Sequence, residues 1–198
     1  MKIKISGKQL GIFALIIVAV AAVAYYSIFI PAVPNASSLS GDKIIGSINL
    51  NSVGSPAPDF TAATVDLASS TVGKNITLTD LKATGKPTIL YFWATWCPFC
   101  RNELTKLKTL YPKYQDKVNF VVVDVDIEEN AATIAKEVNS RGYLGTFTLA
   151  SVPMLQNYKI YDTSTKYVLG RNGTILFSGS GEVNEQYWTN LFNQAISS

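Results

Sequence analysis

Thr88-Ile89-Leu90-Tyr91-Phe92-Trp93 runs directly into Ala94-Thr95-Trp96-Cys97-Pro98-Phe99-Cys100, and no other stretch of the 198 residues constrains the fold as tightly. The first six residues are β-branched, aromatic or leucine, with no polar alternation. That pattern fits a strand buried on both faces, in the middle of a parallel or mixed sheet. Beyond Cys100, Leu104, Leu107, Leu110, Tyr111 and Tyr114 recur at three- and four-residue steps, the apolar stripe of a helix. A strand that ends and a helix that begins at Cys97 set its sulfur against unpaired N–H groups and the positive helix end. Pro98 in the first turn loses no helical hydrogen bond.

The rest of the pattern extends this junction. Val118 to Asp124 reads as a second buried strand. Asn130 caps a helix running through Val138 and stopping near Gly142. Arg171-Asn172-Gly173 between Tyr167-Val168-Leu169 and Thr174-Ile175-Leu176-Phe177 is a hairpin signal. Trp188, Leu191, Phe192, Ala195 and Ile196 mark a terminal helix, with Asn184 as its cap. The predicted order is strand, helix, strand, helix, hairpin, helix: an α/β fold, a central mixed sheet with helices on both faces.

Residues 10–30 carry no charge. As a helix they span roughly 32 Å, close to a hydrocarbon thickness of about 30 Å. Lys2, Lys4 and Lys8 precede them, so the positive-inside rule puts residues 1–9 in the cytoplasm and all that follows Pro31 outside. The predicted organisation is therefore a basic tail (1–9), one transmembrane anchor (10–30), a Pro/Ser/Asn/Gly linker (31–54) and a folded domain (55–198). A cleaved signal peptide ending near Ala22-Val23-Ala24 is the alternative, and it exports the domain equally.

Without those three lysines the chain holds 14 basic and 14 acidic residues, so the domain has no basic excess to hold nucleic acid. It has no histidine, which removes histidine acid–base chemistry and histidine metal sites. Its two cysteines are Cys97 and Cys100. As a staple across so short a loop they contribute about 2 kcal/mol, against about 3 for a 15-residue loop. As metal ligands they supply two soft donors where three or four are needed. As a redox pair the spacing makes sense. The helix end lowers the pKa of Cys97, the nucleophile, and Cys100, one turn on, resolves the mixed disulfide. No cofactor and no metal are called for beyond that disulfide.

Ala57-Pro58-Asp59-Phe60, Leu78-Thr79-Asp80-Leu81, Gly85-Lys86-Pro87, Phe92 through Cys100 and Glu103 together resemble the TlpA/ResA branch of the thioredoxin superfamily, over about 140 residues from Ser55. The resemblance implies a thioredoxin-like fold and a membrane-tethered thiol–disulfide oxidoreductase facing away from the cytoplasm. Its substrates would be thiols and disulfides of exported proteins, as in cytochrome c maturation, with a membrane thiol carrier as electron donor. A disulfide-forming oxidase and a binding or chaperone module on the same fold are the alternatives. Peroxiredoxins share the APDF segment but carry Pro and Thr or Ser seven and three positions before the nucleophile. Here Leu90 and Ala94 stand there. Copper-chaperone relatives need a histidine.

By the same resemblance, substrate lies against Trp96, Pro98 and Phe99 and against the loop facing the disulfide. Glu103 matches a glutamate that sits by the disulfide in ResA-like proteins, where a buried carboxylate passes protons to and from the thiols. The other reading is an exposed glutamate of the first turns. Tyr91 takes the place of a buried aspartate in thioredoxins and reads as core. The facing loop holds a cis-proline in the family. Counting back from Asn172-Gly173 puts Thr163 and Ser164 there, with Pro153 as the rival. A cis bond before serine costs about 3 kcal/mol or more, so a trans loop is expected.

Overall fold

The computed structural model describes residues 50–198. The tail, the 10–30 span and nearly all of the linker lie outside the described residues. Among those described, no helix is long and apolar enough to cross a membrane.

Seven strands form one sheet: β1 (Thr61–Asp66), β2 (Thr71–Thr77), β3 (Thr88–Trp93), β4 (Asn119–Asp124), β5 (Thr146–Thr148), β6 (Thr165–Leu169) and β7 (Ile175–Ser180). Their order is β2-β1-β5-β4-β3-β6-β7. β3, β4 and β5 are parallel neighbours, while β6 runs antiparallel to β3. Every residue of β3 is buried, as its unalternating sequence requires. Parallel pairing brings the C-terminal ends of β3 and β4 to one sheet edge, and antiparallel β6 starts at that edge. Trp96-Cys97, the loop after Asp124 and Thr163-Ser164 therefore converge.

Helices α1 (Leu78–Ala83), α2 (Pro98–Leu110), α3 (Ala131–Arg141), α4 (Val152–Asn157) and α5 (Glu185–Ile196) complete the domain. α2, α3 and α5 cover one face, packing on Ile89, Tyr91, Trp93, Phe120, Val122 and Val168. α1, α4 and Phe60 cover the other, against Leu90, Phe92, Val121, Val123 and Tyr167. A mixed sheet with helices on both faces is the expected thioredoxin-like architecture.

The local signals correspond to real caps. Asn130 Oδ1 accepts from the Thr133 N–H at 3.0 Å, and Gly142 closes α3 at a φ of 65°. Asn184 caps α5 through the Tyr187 N–H at 2.8 Å. The stripe after the cysteines divides: α2 ends at Leu110 and a 3₁₀ turn, Tyr111–Lys113, follows. Pro112 has no N–H with which to continue the helix. The β1–β2 hairpin, α1, β5 and α4 are additions to the predicted order. Residues 50–54 are also attached: the Asn51 N–H donates to Tyr167 Oη at 3.0 Å and the Gly54 N–H to the Ile175 carbonyl at 2.8 Å.

Candidate active site

Cys97 is the N-cap of α2, and its Sγ accepts the Cys100 N–H at 3.1 Å. The two cysteines are joined as a disulfide with Cα atoms 5.3 Å apart. Cys97 is 1% exposed and Cys100 is fully buried. Cys97 borders a groove of about 360 Å³ lined by Trp96 just ahead of α2, by Pro98 and Phe99 in its first turn, by Thr163 and Ser164 ahead of β6, and by Gly181 and Glu182 after β7. A second groove of about 290 Å³ shares Trp96, Asp162 and Thr163 and extends to Val125, Leu155, Ile160 and Tyr161. Trp96 therefore belongs to both grooves. Trp96 is 57% exposed and Phe99 58%, an apolar surface beside Cys97.

Ser164, rather than Pro153, faces the disulfide. Pro153 lies in the first turn of α4 and lines a separate cavity with Asp59, Phe60 and Met154. Among the described residues no peptide bond is cis, and Ser164 has a left-handed backbone, with φ 59°.

Glu103 is fully buried, because α2 turns it toward the sheet rather than toward water. Its Oε2 accepts from Tyr91 Oη at 2.7 Å and from Ser164 Oγ at 2.5 Å. Its Oε1 accepts from the Val183 N–H at 3.1 Å and from Trp188 Nε1 at 3.0 Å, and pairs with Lys166 Nζ at 2.8 Å. Lys166, 1% exposed, also donates to the Ser164 carbonyl at 2.9 Å, to Ser164 Oγ at 3.0 Å and to the Gly181 carbonyl at 2.6 Å. Its ammonium lies 5.3 Å from the ring centre of Tyr91 and 5.4 Å from that of Trp188. Burial, then the Glu103 charge, pushes the Tyr91 phenol far above its ordinary value. Burial pulls the Lys166 ammonium below its ordinary value, against the opposing pull of Glu103.

On the other flank, Asp126 Oδ2 accepts from Trp96 Nε1 at 2.8 Å, and Glu129 accepts from the Thr95 N–H at 3.2 Å and from the Thr95 hydroxyl. Asp124, paired with Trp93 across the β3–β4 ladder, is fully buried. One of its oxygens accepts the Asp126 N–H at 3.1 Å and the other has no hydrogen-bond partner. Burial, aided by the charges of Glu129 and Asp126, pushes this carboxyl up to about 7. Among the described residues, no group of three or more Cys, Asp or Glu side chains is placed to hold a metal ion.

The sequence reading missed Lys166, Asp124, the Trp188 indole N–H and the Val183 amide as site groups. For Lys166 a signal existed. Ser164, Lys166 and Val168 alternate, so the lysine had to point inward with Val168.

Residues 53–186 match the AhpC/TSA family. The chain belongs to that family. Leu90 and Ala94, which stand where a peroxidase would carry its proline and hydroxyl, are both fully buried. Within the family the similarity is to the TlpA/ResA-like branch. The thiol-disulfide oxidoreductase ResA of Bacillus cereus is 31% identical over 134 residues, 66% of this chain and 70% of that one. The thioredoxin-like protein YneN of Bacillus subtilis is 32% identical over 129 residues, 62% of this chain and 68% of that one. A thioredoxin-family thiol:disulfide interchange protein of Chlorobium tepidum has the same fold, with a TM-score of 0.62 at 23% identity over 74% of this chain and 99% of that one. The chain is a thioredoxin-like thiol–disulfide oxidoreductase of ResA type.

Proposed function

We propose that the chain is an extracytoplasmic reductase, tethered through residues 10–30, that keeps particular cysteines of exported proteins reduced, in the manner of cytochrome c maturation. The observation that carries the thiol chemistry is the groove: of the two cysteines, Cys97 lines it and Cys100 does not. The Cys97 thiolate attacks a substrate disulfide, forming a mixed disulfide and releasing one substrate thiolate. The Cys100 thiolate then attacks Cys97 Sγ, closing the Cys97–Cys100 disulfide and releasing the second. The substrate gains two electrons and the enzyme loses two. A membrane dithiol carrier returns them.

In this reading Trp96, Pro98, Phe99, Thr163 and Ser164 hold the substrate segment, and Glu103 tunes the couple from behind. The left-handed Ser164 replaces the family's proline in the facing loop, so substrate release and partner choice differ from those of proline-bearing relatives.

The deciding measurement is the reduction potential of Cys97/Cys100, equilibrated with dithiothreitol or glutathione and read by Trp96 fluorescence. A value near or below about −270 mV supports a reductase, whereas one near about −120 mV makes the protein a disulfide former. Mixed disulfides accumulating in C100S and absent from C97S would support the order of attack. Full cellular function of C97S would instead favour a binding module.

A further inference from the structure

Two grooves meet at Asp162. One is lined by Cys97, Phe99 and Ser164, the other by Val125, Leu155 and Ile160, and Trp96, Asp162 and Thr163 line both. Hydrogen bonds fix this shared wall. The Trp96 indole N–H donates to Asp126 at 2.8 Å, and the Asp162 carbonyl accepts the Thr165 hydroxyl at 2.8 Å. In an extended segment each residue adds about 3.3 Å, and alternate side chains share a face. A substrate segment with its sulfur at Cys97 therefore reaches the second groove, across Trp96, with a residue near its cysteine.

The charge of this surface is one-sided. Of all the residues lining the two grooves, the charged ones are Asp162 and Glu182, and no lysine or arginine lines either. The two acids are not equivalent. Glu182 pairs with Lys106 at 3.2 Å, which offsets its charge. Asp162 is exposed, and among the described residues its carboxylate has neither an ion pair nor a hydrogen bond. Water solvates it while the grooves are empty. A neutral or acidic segment laid across it displaces that water and offers nothing in return. A lysine or arginine supplies the missing partner through a charge-assisted hydrogen bond. Beside Asp162, the half-buried Val125, Leu155 and Ile160, together with Tyr161, which is 80% exposed, favour an apolar side chain.

We propose that Asp162 is a specificity-determining residue: it selects substrate segments that carry a lysine or arginine close to the reacting cysteine, with an apolar residue nearby for the second groove. This deepens the reading of Cys97 as the attacking sulfur and rests on it. A charge at the rim of a binding site acts mainly on encounter and partner choice, and its effect fades with salt. The preference is therefore one for substrate sequence, separate from the potential of the disulfide.

The test uses the reduced full-length chain and synthetic peptides with one cysteine, joined by a disulfide to 2-nitro-5-thiobenzoate. Lysine, glutamine or glutamate stands next to the cysteine, and leucine or serine two residues from it, on either side. The Cys97 thiolate attacks the peptide sulfur, and the coloured thiobenzoate leaves with the electron pair of the broken S–S bond. The Cys100 thiolate then attacks Cys97 Sγ and releases the peptide thiolate. Each rate is divided by that of the same peptide with dithiothreitol, which removes the peptide's own reactivity. The wild type should prefer lysine over glutamate by about tenfold at low salt, the scale of one exposed ion pair gained and one like-charge contact avoided. About 0.5 M salt should reduce that ratio to near one. In D162N it should fall to about threefold or less, and in D162K it should invert. The substitutions act at an exposed side chain, and the bond from Thr165 to the Asp162 carbonyl survives them. Leucine should be preferred over serine by about fivefold or more, and Y161S should weaken that preference while leaving the charge ratio as it is. A wild type indifferent to charge, or a D162N protein with the wild-type ratio, would overturn the proposal. Equal release from all peptides would remove this proposal alone, whereas no release from any of them would remove the thiol chemistry and the proposal with it.

Discussion

The Tyr91 phenol donates to the Glu103 carboxylate at 2.7 Å, joining the central strand β3 to α2 directly behind the disulfide. The tyrosine ring also packs edge-on against Trp188 at 5.5 Å and forms one side of the Lys166 site. A residue that reads as core from its sequence is therefore core in its ring and part of the site in its hydroxyl.

Tyr91→Phe keeps the ring and removes one of five donors to a buried carboxylate. The expected loss is about 1–3 kcal/mol, the cost of leaving a buried charged acceptor partly unsatisfied. Urea denaturation of the oxidised protein at neutral pH measures it. An unchanged midpoint would mean that another donor had moved in.

The parts of the fold legible in the sequence were those whose signal is local. β3 announces itself by an unbroken apolar run, α3 by Asn130 and Gly142, and the β6–β7 turn by Asn172-Gly173. β5 has three residues and α4 six, too few for any periodicity, and both are specified by what they pair with or pack on. Thr71–Thr77 mixes Gly73, Lys74 and Asn75 on a largely exposed edge strand, so the hydrophobic alternation that marks a half-buried strand is missing. The disulfide and its groove were readable for the same local reason. The Glu103 cluster was not, because its members come from β3, α2, the approach to β6, β6 itself and α5, lying up to 85 residues from Glu103. No spacing rule joins them.

Asp124 gives the domain a pH dependence of defined sign. Its carboxyl, ordinarily near 3.8, is pushed up to about 7 by burial. Between those values the folded protein holds a proton that the unfolded chain releases, so stability falls as pH rises through that window and levels off above it. The full effect is about 4 kcal/mol. Asp124→Asn removes the titration. Its stability should stay flat from about pH 4 to about pH 8, and above pH 7 it should exceed that of the wild type. Denaturation midpoints at several pH values distinguish the two curves, and a wild-type curve rising with pH would reverse the assignment.

Phe99 is exposed and apolar beside Cys97, a position where a side chain adds affinity for a protein segment but does little for a small thiol. Phe99→Ala should raise KM for a protein disulfide by about tenfold, the scale of an interface residue worth somewhat more than 1 kcal/mol. The rate with dithiothreitol should stay within about twofold, since the thiolate of Cys97 is untouched. Equal losses with both substrates would show that the ring supports the active-site turn instead.

Ser164 combines two effects that substitutions can separate. Its backbone is in the left-handed region, which disfavours a side chain by about 1 kcal/mol or more relative to glycine. Its hydroxyl donates to Glu103 and accepts from Lys166. Ser164→Ala loses the hydroxyl and keeps the strain, whereas Ser164→Gly loses the hydroxyl and relieves it. Both should be less stable than the wild type if the hydrogen bonds, worth about 1–3 kcal/mol in a buried charged network, outweigh the strain. The glycine variant should nevertheless be the more stable of the two by about 1 kcal/mol. Ser164→Pro should be the worst, because its ring requires a φ near −65° where the loop holds 59°. Urea midpoints of the three oxidised variants give the order directly. A proline variant as stable as the wild type would mean that the loop can switch to the form its proline-bearing relatives use, and that the hydrogen bonds from Lys166 to Ser164 do not fix it.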